Sequence, residues 1–465
     1  MKKNSKPDRK NVIRVRKISY AVASLFFVMT LTSLCVISFA FPLRPDFSES
    51  EKRELAKFPR LTFSALFSGD YFDDINLWFS DTFPMRDDLV KKSSQIKKML
   101  GIGQSVHHFS ENSGDDIPDA PEGEGQSMVD VSPDVPESQS VNDLLKPAVP
   151  PSTTQKAPTD EGGNVLQQSF GAVHIYGNTA YEYYNFVRDT ADSYVKAINK
   201  GADEAAKNNI NFYNMLIPTS IDITLDADAR SKLNSSDQQD AINYMNASMN
   251  KNVKKVQIYD LLKAHKDEYI YFRTDHHWTA LGAYYAYAQF MTVKGGKYAS
   301  LANDFTQYGF NGFLGSFYSD TNKNAALEKS PDTVYAYMPK GDISFRMMQK
   351  GTSEFIDWPL VCDVSDYNSS YKYLCFIGGD NPLSVIENNS MTEGETCVFV
   401  KESFGNAFAP YLACNYKTVY IVDYRYFDGD ITDFAKEKGA TDIIVQSNVS
   451  MTRNSSLVSK LAATL

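Results

Sequence analysis

Asp275, His276, His277 and Trp278 are consecutive in a chain of 465 residues that has only six histidines and three tryptophans. An acid and an imidazole two positions apart point to the same side of an extended segment. Asp275 can then accept the Nδ1 proton of His277 and leave Nε2 free to take a proton from a nucleophile. His276 points elsewhere on this reading, and Trp278 packs inward. The structural alternative has Asp275 capping the helix that follows and one histidine satisfied in the core. A metal is the third use of such a cluster, and "DHH" also occurs in metal-dependent phosphoesterases. Those sites need further aspartates, whereas here no HExxH and no second His/Asp cluster at ligand spacing accompanies the first. Neither a metal nor a cofactor is expected.

A general base needs a nucleophile. "CVFVKESFGNAFAPYLA" places Ser403 between an apolar, strand-like run and a helical one, with Gly405 just after it. The glycine relieves crowding at such a turn, and the helix start offers free backbone N–H groups to an oxyanion. A plain helix cap is the structural alternative for Ser403. The Ser403 N–H and Asn406 are the oxyanion candidates. Arg425 and Tyr424, in "VDYRYF", are secondary candidates for substrate contact, with a structural ion pair as the other explanation of Arg425.

The elements that must position these residues alternate. "AVHIYG", "INFYNMLIP", "KVQIYD", "YIYF", "CVFVKE", "TVYIVD" and "DIIVQS" read as strands. "DTADSYVKAINKGADEAAKNN", "SSDQQDAINYMNASMNKN", "TALGAYYAYAQFMTV", "NAFAPYLA" and "ITDFAKEKG" read as helices. This pattern predicts an α/β fold with a mainly parallel sheet and helices on both faces. Ligands of such folds bind beyond the carboxyl ends of the strands. The loops at Pro218–Ser220, Arg273–Trp278 and Lys401–Asn406 sit at those predicted ends.

Charge is laid out in blocks. Residues 1–17 carry a net +7 and residues 106–168 a net −10, within an overall −10. No basic patch follows the amino-terminal tail, which argues against nucleic-acid binding. Residues 18–41 are 24 residues without a charge, enough for a membrane-spanning helix. The basic tail before them predicts a cytoplasmic start and an extracellular remainder. A cleaved signal peptide ending near Ala40 is the competing reading. Five regions are expected: a cytoplasmic tail (1–17), a transmembrane anchor (18–41), a helical juxtamembrane segment packing on the catalytic domain (42–104), a disordered acidic Pro/Ser/Gly-rich insertion (105–168) and the catalytic domain (169–465). The insertion is too poor in aromatics to offset its ordering entropy. Cys362, Cys375, Cys397 and Cys414 permit two disulfides or four buried thiols. They contain no CxxC pair.

Taken together, "TDHHW", "FSESEKRELAKFP" with "DTFPMRDDL", "YGN" and "ESFGNAFAPYL" resemble the DHHW proteins of Gram-positive bacteria, which are similar to alginate O-acetyltransferases. The resemblance runs from about residue 47 to the end, the acidic insertion excepted. It implies an SGNH-hydrolase-like three-layer sandwich in which an Asp-x-His pair precedes the nucleophilic serine, matching Asp275, His277 and Ser403. One departure is Glu402, where the family often has Asp. The resemblance implies an extracytoplasmic O-acetyltransferase acting on a cell-surface or cell-wall polysaccharide. It also implies a membrane-bound partner that exports the acyl group. A carbohydrate esterase with the same triad is one rival. A non-catalytic carbohydrate-binding or scaffold component of a polysaccharide export system is the other.

Overall fold

The computed structural model describes residues 172–465 throughout, the segments 114–120, 126–131 and 167–170, and a few isolated residues elsewhere. The chain divides into two units, 1–107 and 108–465. In the first, Phe47–Ser48 pairs antiparallel with Arg53–Glu54, and the Phe58 ring meets Trp78 edge-on at 4.8 Å. The tail at 1–17 and the anchor at 18–41 lie outside the described residues, as does most of 42–104. Among the described residues no helix is long and apolar enough to cross a membrane.

The second unit is built on one eight-stranded sheet. In chain order its strands are β1 (Asn211–Ile217), β2 (Val253–Lys255), β3 (Ile343–Met348), β4 (Phe355–Asp357), β5 (Leu383–Asn388), β6 (Thr396–Lys401), β7 (Thr418–Asp423) and β8 (Asp442–Asn448). Their spatial order is β4-β3-β5-β7-β6-β8-β1-β2. The run β7-β6-β8-β1-β2 is parallel. The β5, β3 and β4 strands extend it antiparallel. The sheet is therefore mixed, and the expectation of a mainly parallel one holds only for five of its strands. The antiparallel edge is less legible because β3 and β4 are partly or fully exposed and β5, though mostly buried, breaks its apolar run with Ser384, Glu387 and Asn388.

Residues along the central strands alternate between two cores, as the period of two requires. Phe212, Leu216, Val398, Val400, Ile443 and Val445 face one side. There they meet α1 (Arg188–Lys207), α2 (Gln238–Ser248) and the carboxyl-terminal α5 (Ser455–Thr464). Tyr213, Met215, Phe399, Ile421 and Ile444 face the other side. They meet α3 (Ala280–Lys294) and α4 (Gly405–Leu412). The result is a three-layer α/β/α sandwich. Nearly the whole circumference of α3 is apolar, because it is buried between the sheet and an antiparallel hairpin, Phe305–Phe313 with Asp332–Pro339.

Three expected strands are placed differently: of "KVQIYD" only Lys255 lies in β2, and Tyr259 and Asp260 begin a short helix, Tyr259–Ala264. "AVHIYG" forms Val173–Tyr176 of a separate three-stranded antiparallel sheet. "YIYF" makes only a single bridge, Tyr271 with Trp278, which pinches the Asp-His-His loop at its base.

Parts of the acidic insertion are packed against the domain. Val131 is buried in the α3-side core, and Val129 N–H donates to Gln289 Oε1 of α3 at 3.0 Å. Asp115 Oδ2 accepts from Arg188 N–H at 2.8 Å, at the start of α1, whose own N-cap residue Val187 supplies no side-chain bond. A carboxylate is favourable at that positive end. Composition hides this, because a few anchoring residues suffice where a helix lacks its cap.

Candidate active site

The Asp-His-His loop is fixed before any chemistry begins. Asp332, fully buried, accepts from Thr274 N–H and Oγ–H, both at 2.7 Å, and from Arg273 N–H at 3.0 Å. Phe272 N–H donates to His277 O, and Thr279 N–H to Ile270 O. The loop therefore turns tightly, with Asp275 and His277 both buried on its inner side.

His277 Nδ1 lies 2.6 Å from Asp275 Oδ1, and His277 Nε2 lies 2.8 Å from Ser403 Oγ. The two side chains are 126 positions apart in sequence. Asp275 Oδ1 also accepts the His277 backbone N–H at 3.0 Å, and Oδ2 accepts Ser316 N–H at 2.8 Å. Burial works against the Asp275 charge. The imidazoles of His277 and His276 and these hydrogen bonds outweigh it and hold the carboxyl well below the usual carboxylate range. Asp275 is thus an ionised acceptor that orients the His277 ring.

Aromatic rings pack the base. Tyr373 stacks on His277 at 4.1 Å with planes 12° apart, and His276 crosses it at 3.8 Å, tilted by 37°. Tyr373 Oη donates to Ser403 O at 3.0 Å, and Trp278 Nε1 donates to Phe404 O at 2.9 Å. Burial keeps the Tyr373 phenol protonated, its pKa well above the ordinary value. Residues on the base side of the site therefore clamp two successive carbonyls of the nucleophile turn.

Ser403 stands at the end of β6, one residue before the N-cap of α4. Glu402 braces the turn. Its Oε1 accepts Asn448 N–H at the end of β8, and its Oε2 accepts Phe404 N–H. The Ser403 N–H has no acceptor among the described residues and remains available to an oxyanion. Asn406 does not play the expected role. It is buried, accepts from Lys401 Nζ at 2.6 Å and donates to Asp380 Oδ1 at 3.0 Å. Both of its polar atoms are spent beneath the turn.

That network is a buried ion cluster. Lys401 Nζ lies 3.1 Å from both Asp380 and Asp423, and Arg425 Nη2 lies 2.8 Å from Asp380 and 2.7 Å from Asp423. Arg425 also lines the cleft, but its guanidinium is committed to these two carboxylates, as the ion-pair alternative has it. Tyr424 is buried in the core on the far side of the sheet and does not line the cleft. Replacing Lys401 by Met should leave Asp423 and Asp380 under-compensated and lower unfolding stability by about 3–5 kcal/mol in a denaturant titration.

The same cluster sets an acid limit. Burial would raise the Asp380 pKa, but Lys401 and Arg425 hold it well below the usual range. A depressed folded-state pKa contributes stability that is fully present above the unfolded value and lost as pH falls toward the folded one. The stability gap between wild type and Asp380→Asn should therefore be widest at neutral pH and close on acidification.

Ser403, His276, Ser316, Thr219 and Arg425 line one cleft of about 910 Å³. Thr219, Ser403 and Arg425 follow β1, β6 and β7, so the cleft lies beyond the carboxyl ends of the parallel strands. Asp275, His276 and His277 each place a potential ligand atom within 4.8 Å of the others. Asp275 and His277, however, are engaged: Asp275 is spent on His277 and Ser316, and His277 Nε2 on Ser403. The donor set fits a hydrogen-bonded relay better than a cation. The four cysteines of this unit are unpaired.

The sequence signalled neither Gly315 nor Ser316 nor Tyr373. Gly315 acts through its small size, and Ser316 through its backbone N–H to Asp275 and its hydroxyl on His276. Tyr373 comes from a 3-10 segment, Ser369–Cys375, that has no periodic signature.

The chain matches the DHHW protein family over residues 51–422. It belongs to the DHHW family. A DHHW family protein from Eubacterium siraeum DSM 15702 is similar in structure, with a TM-score of 0.58 and 26% identity over 65% of this chain and 98% of that one. Bacillus cereus PatB1, solved with a sulfonyl adduct, shares the DHHW fold with a TM-score of 0.51 and 20% identity, covering 65% of this chain and 99% of its own. The O-acetyltransferase domain of Pseudomonas putida AlgJ superposes only loosely on this DHHW chain, at a TM-score of 0.34 and 11% identity over 65% of this chain and 99% of its own. No curated protein matches the chain.

Proposed function

We propose that this DHHW protein is a serine-dependent O-acyltransferase that moves an acetyl group onto a polysaccharide hydroxyl. The observation that carries the reading is the unbroken relay from Asp275 through His277 to Ser403, with contacts of 2.6 and 2.8 Å, opening on a cleft. His277 Nε2 takes the Ser403 proton as Oγ attacks the donor carbonyl, and Asp275 stabilises the resulting imidazolium. The Ser403 N–H faces the developing oxyanion. His277 then protonates the leaving group, which departs and leaves an acetyl ester on Ser403. A glycan hydroxyl attacks that ester, giving its proton to His277 and releasing Ser403.

The acetyl group and the glycan acceptor rest on the motif resemblance to alginate O-acetyltransferases. An anchor at 18–41, a catalytic domain outside the cell and a membrane-bound acyl-exporting partner complete the proposal, because acyl donors made in the cytoplasm must reach an external site. The test is incubation of the full-length chain with p-nitrophenyl acetate. Acetyl on the Ser403 peptide by mass spectrometry supports the relay, and acetylated sugar formed only on adding a glycoside supports transfer. Label elsewhere, or none, would overturn the reading.

A further inference from the structure

His276 is not part of the relay, yet it is half-exposed at the cleft while its neighbours Asp275 and His277 are buried. Its Nδ1 is held by Ser316 Oγ at 2.7 Å. Its Nε2 has no partner among the described residues. The ring crosses the His277 ring at 3.8 Å and lies 5.8 Å from Phe404 and 6.3 Å from Phe317, so its orientation is fixed by packing. Ser316 links the two functions of the loop: its backbone N–H holds Asp275 Oδ2, and its hydroxyl holds His276.

An acceptor hydroxyl that attacks the acetyl-enzyme must give its proton to His277 Nε2. It must therefore approach from the cleft, which His276 and Ser403 both line. Water can occupy the same place, so a transferase needs a group that favours the sugar. We propose that His276, oriented by Ser316, is the acceptor-binding residue: its free Nε2 hydrogen-bonds the incoming glycan, at the reacting hydroxyl or its neighbour, and biases the acetyl-enzyme toward transfer over hydrolysis. This rests on the acyl-transfer reading above. His276 exchanges no proton in the net reaction. The sugar O–C bond forms, the Ser403 Oγ–C bond breaks, and the hydroxyl proton passes through His277 to Ser403 Oγ. Imidazole can serve as donor or acceptor here, since Ser316 Oγ can donate to Nδ1 or accept from it.

The test is the partition of product. Full-length chain is given p-nitrophenyl acetate with methyl β-D-glucopyranoside as acceptor probe, and acetylated glucoside is measured against free acetate. The ratio is independent of how much active enzyme each preparation contains. His276→Ala should lower it about tenfold, the effect of one lost hydrogen bond in the acceptor's transition state, and should raise the KM for the glucoside. Ser316→Ala, which keeps the backbone N–H to Asp275, should lower it less. His276→Gln, which retains a polar group near the same reach, should restore part of it. Equal ratios in wild type and His276→Ala overturn this proposal alone. Wild type that labels Ser403 but yields only free acetate overturns the transfer reading and this proposal with it. Wild type that never labels Ser403 overturns the serine mechanism as well.

Discussion

A Ser403→Ala chain should fold as wild type does and lose at least about 10⁴-fold in acetyl transfer. The substitution removes one oxygen that bonds His277 Nε2 at 2.8 Å and lies 3.4 Å from Glu402 Oε2. Ser403 itself lines the cleft, so the space its hydroxyl leaves beside His277 Nε2 opens toward solvent. The backbone clamps from Tyr373 to Ser403 O and from Trp278 to Phe404 O survive, since they do not use the side chain. Unfolding stability should shift by less than about 1 kcal/mol. The p-nitrophenol burst, the Ser403 label and the acetylated product should all vanish together. A Ser403→Ala variant that left surface-polymer acetylation unchanged in cells would leave the relay with no chemical role and would favour a carbohydrate-binding or scaffold protein.

The second large effect comes from a residue that touches no substrate. An alanine Cβ at Gly315 would lie 2.2 Å from Asp275 Oδ2, 2.3 Å from its Cβ and 2.5 Å from its Cγ. The backbone there is extended (φ −84°, ψ −155°), so the obstacle is contact and not conformation. Asp275 has no room to yield, because it is buried and bound by His277 on one oxygen and Ser316 N–H on the other. Gly315→Ala should therefore displace the carboxylate, release the His277 ring from its working orientation and lower kcat by about 10²–10³-fold. The expected stability loss is about 1–3 kcal/mol, the usual cost of overpacking. Measuring kcat on the folded fraction separates the two consequences. Unaltered kcat with a correctly folded chain would show that Asp275 does not hold the base.

The relay was legible because its three members differ from their surroundings in kind: rare histidines beside an acid, and a serine between an apolar strand and a helix. Strand β7 (Thr418–Asp423) falls where "TVYIVD" predicts it, for the same reason that buried parallel strands are continuously apolar. Asn406 was misplaced because position after a nucleophile says nothing about which way an amide turns. Here a buried Lys401 and Asp380 claim it from below. The "YIYF" run looked like a strand by composition, but it joins no sheet: its backbone partners lie in the loop's own return, with the single bridge Tyr271–Trp278. Gly315, Ser316 and Tyr373 were illegible because long-range packing alone brings them to Asp275, His276, His277 and Ser403.

The 126 positions between imidazole and hydroxyl enclose both the antiparallel pair Phe305–Phe313 and Asp332–Pro339 and the whole antiparallel edge of the sheet. Closing a loop of that length costs more entropy than a local contact does. A chain still being synthesised, or one cut anywhere before β6, carries the base without its nucleophile. On the proposed acyl-transfer mechanism, such a fragment would not spend acyl groups on water.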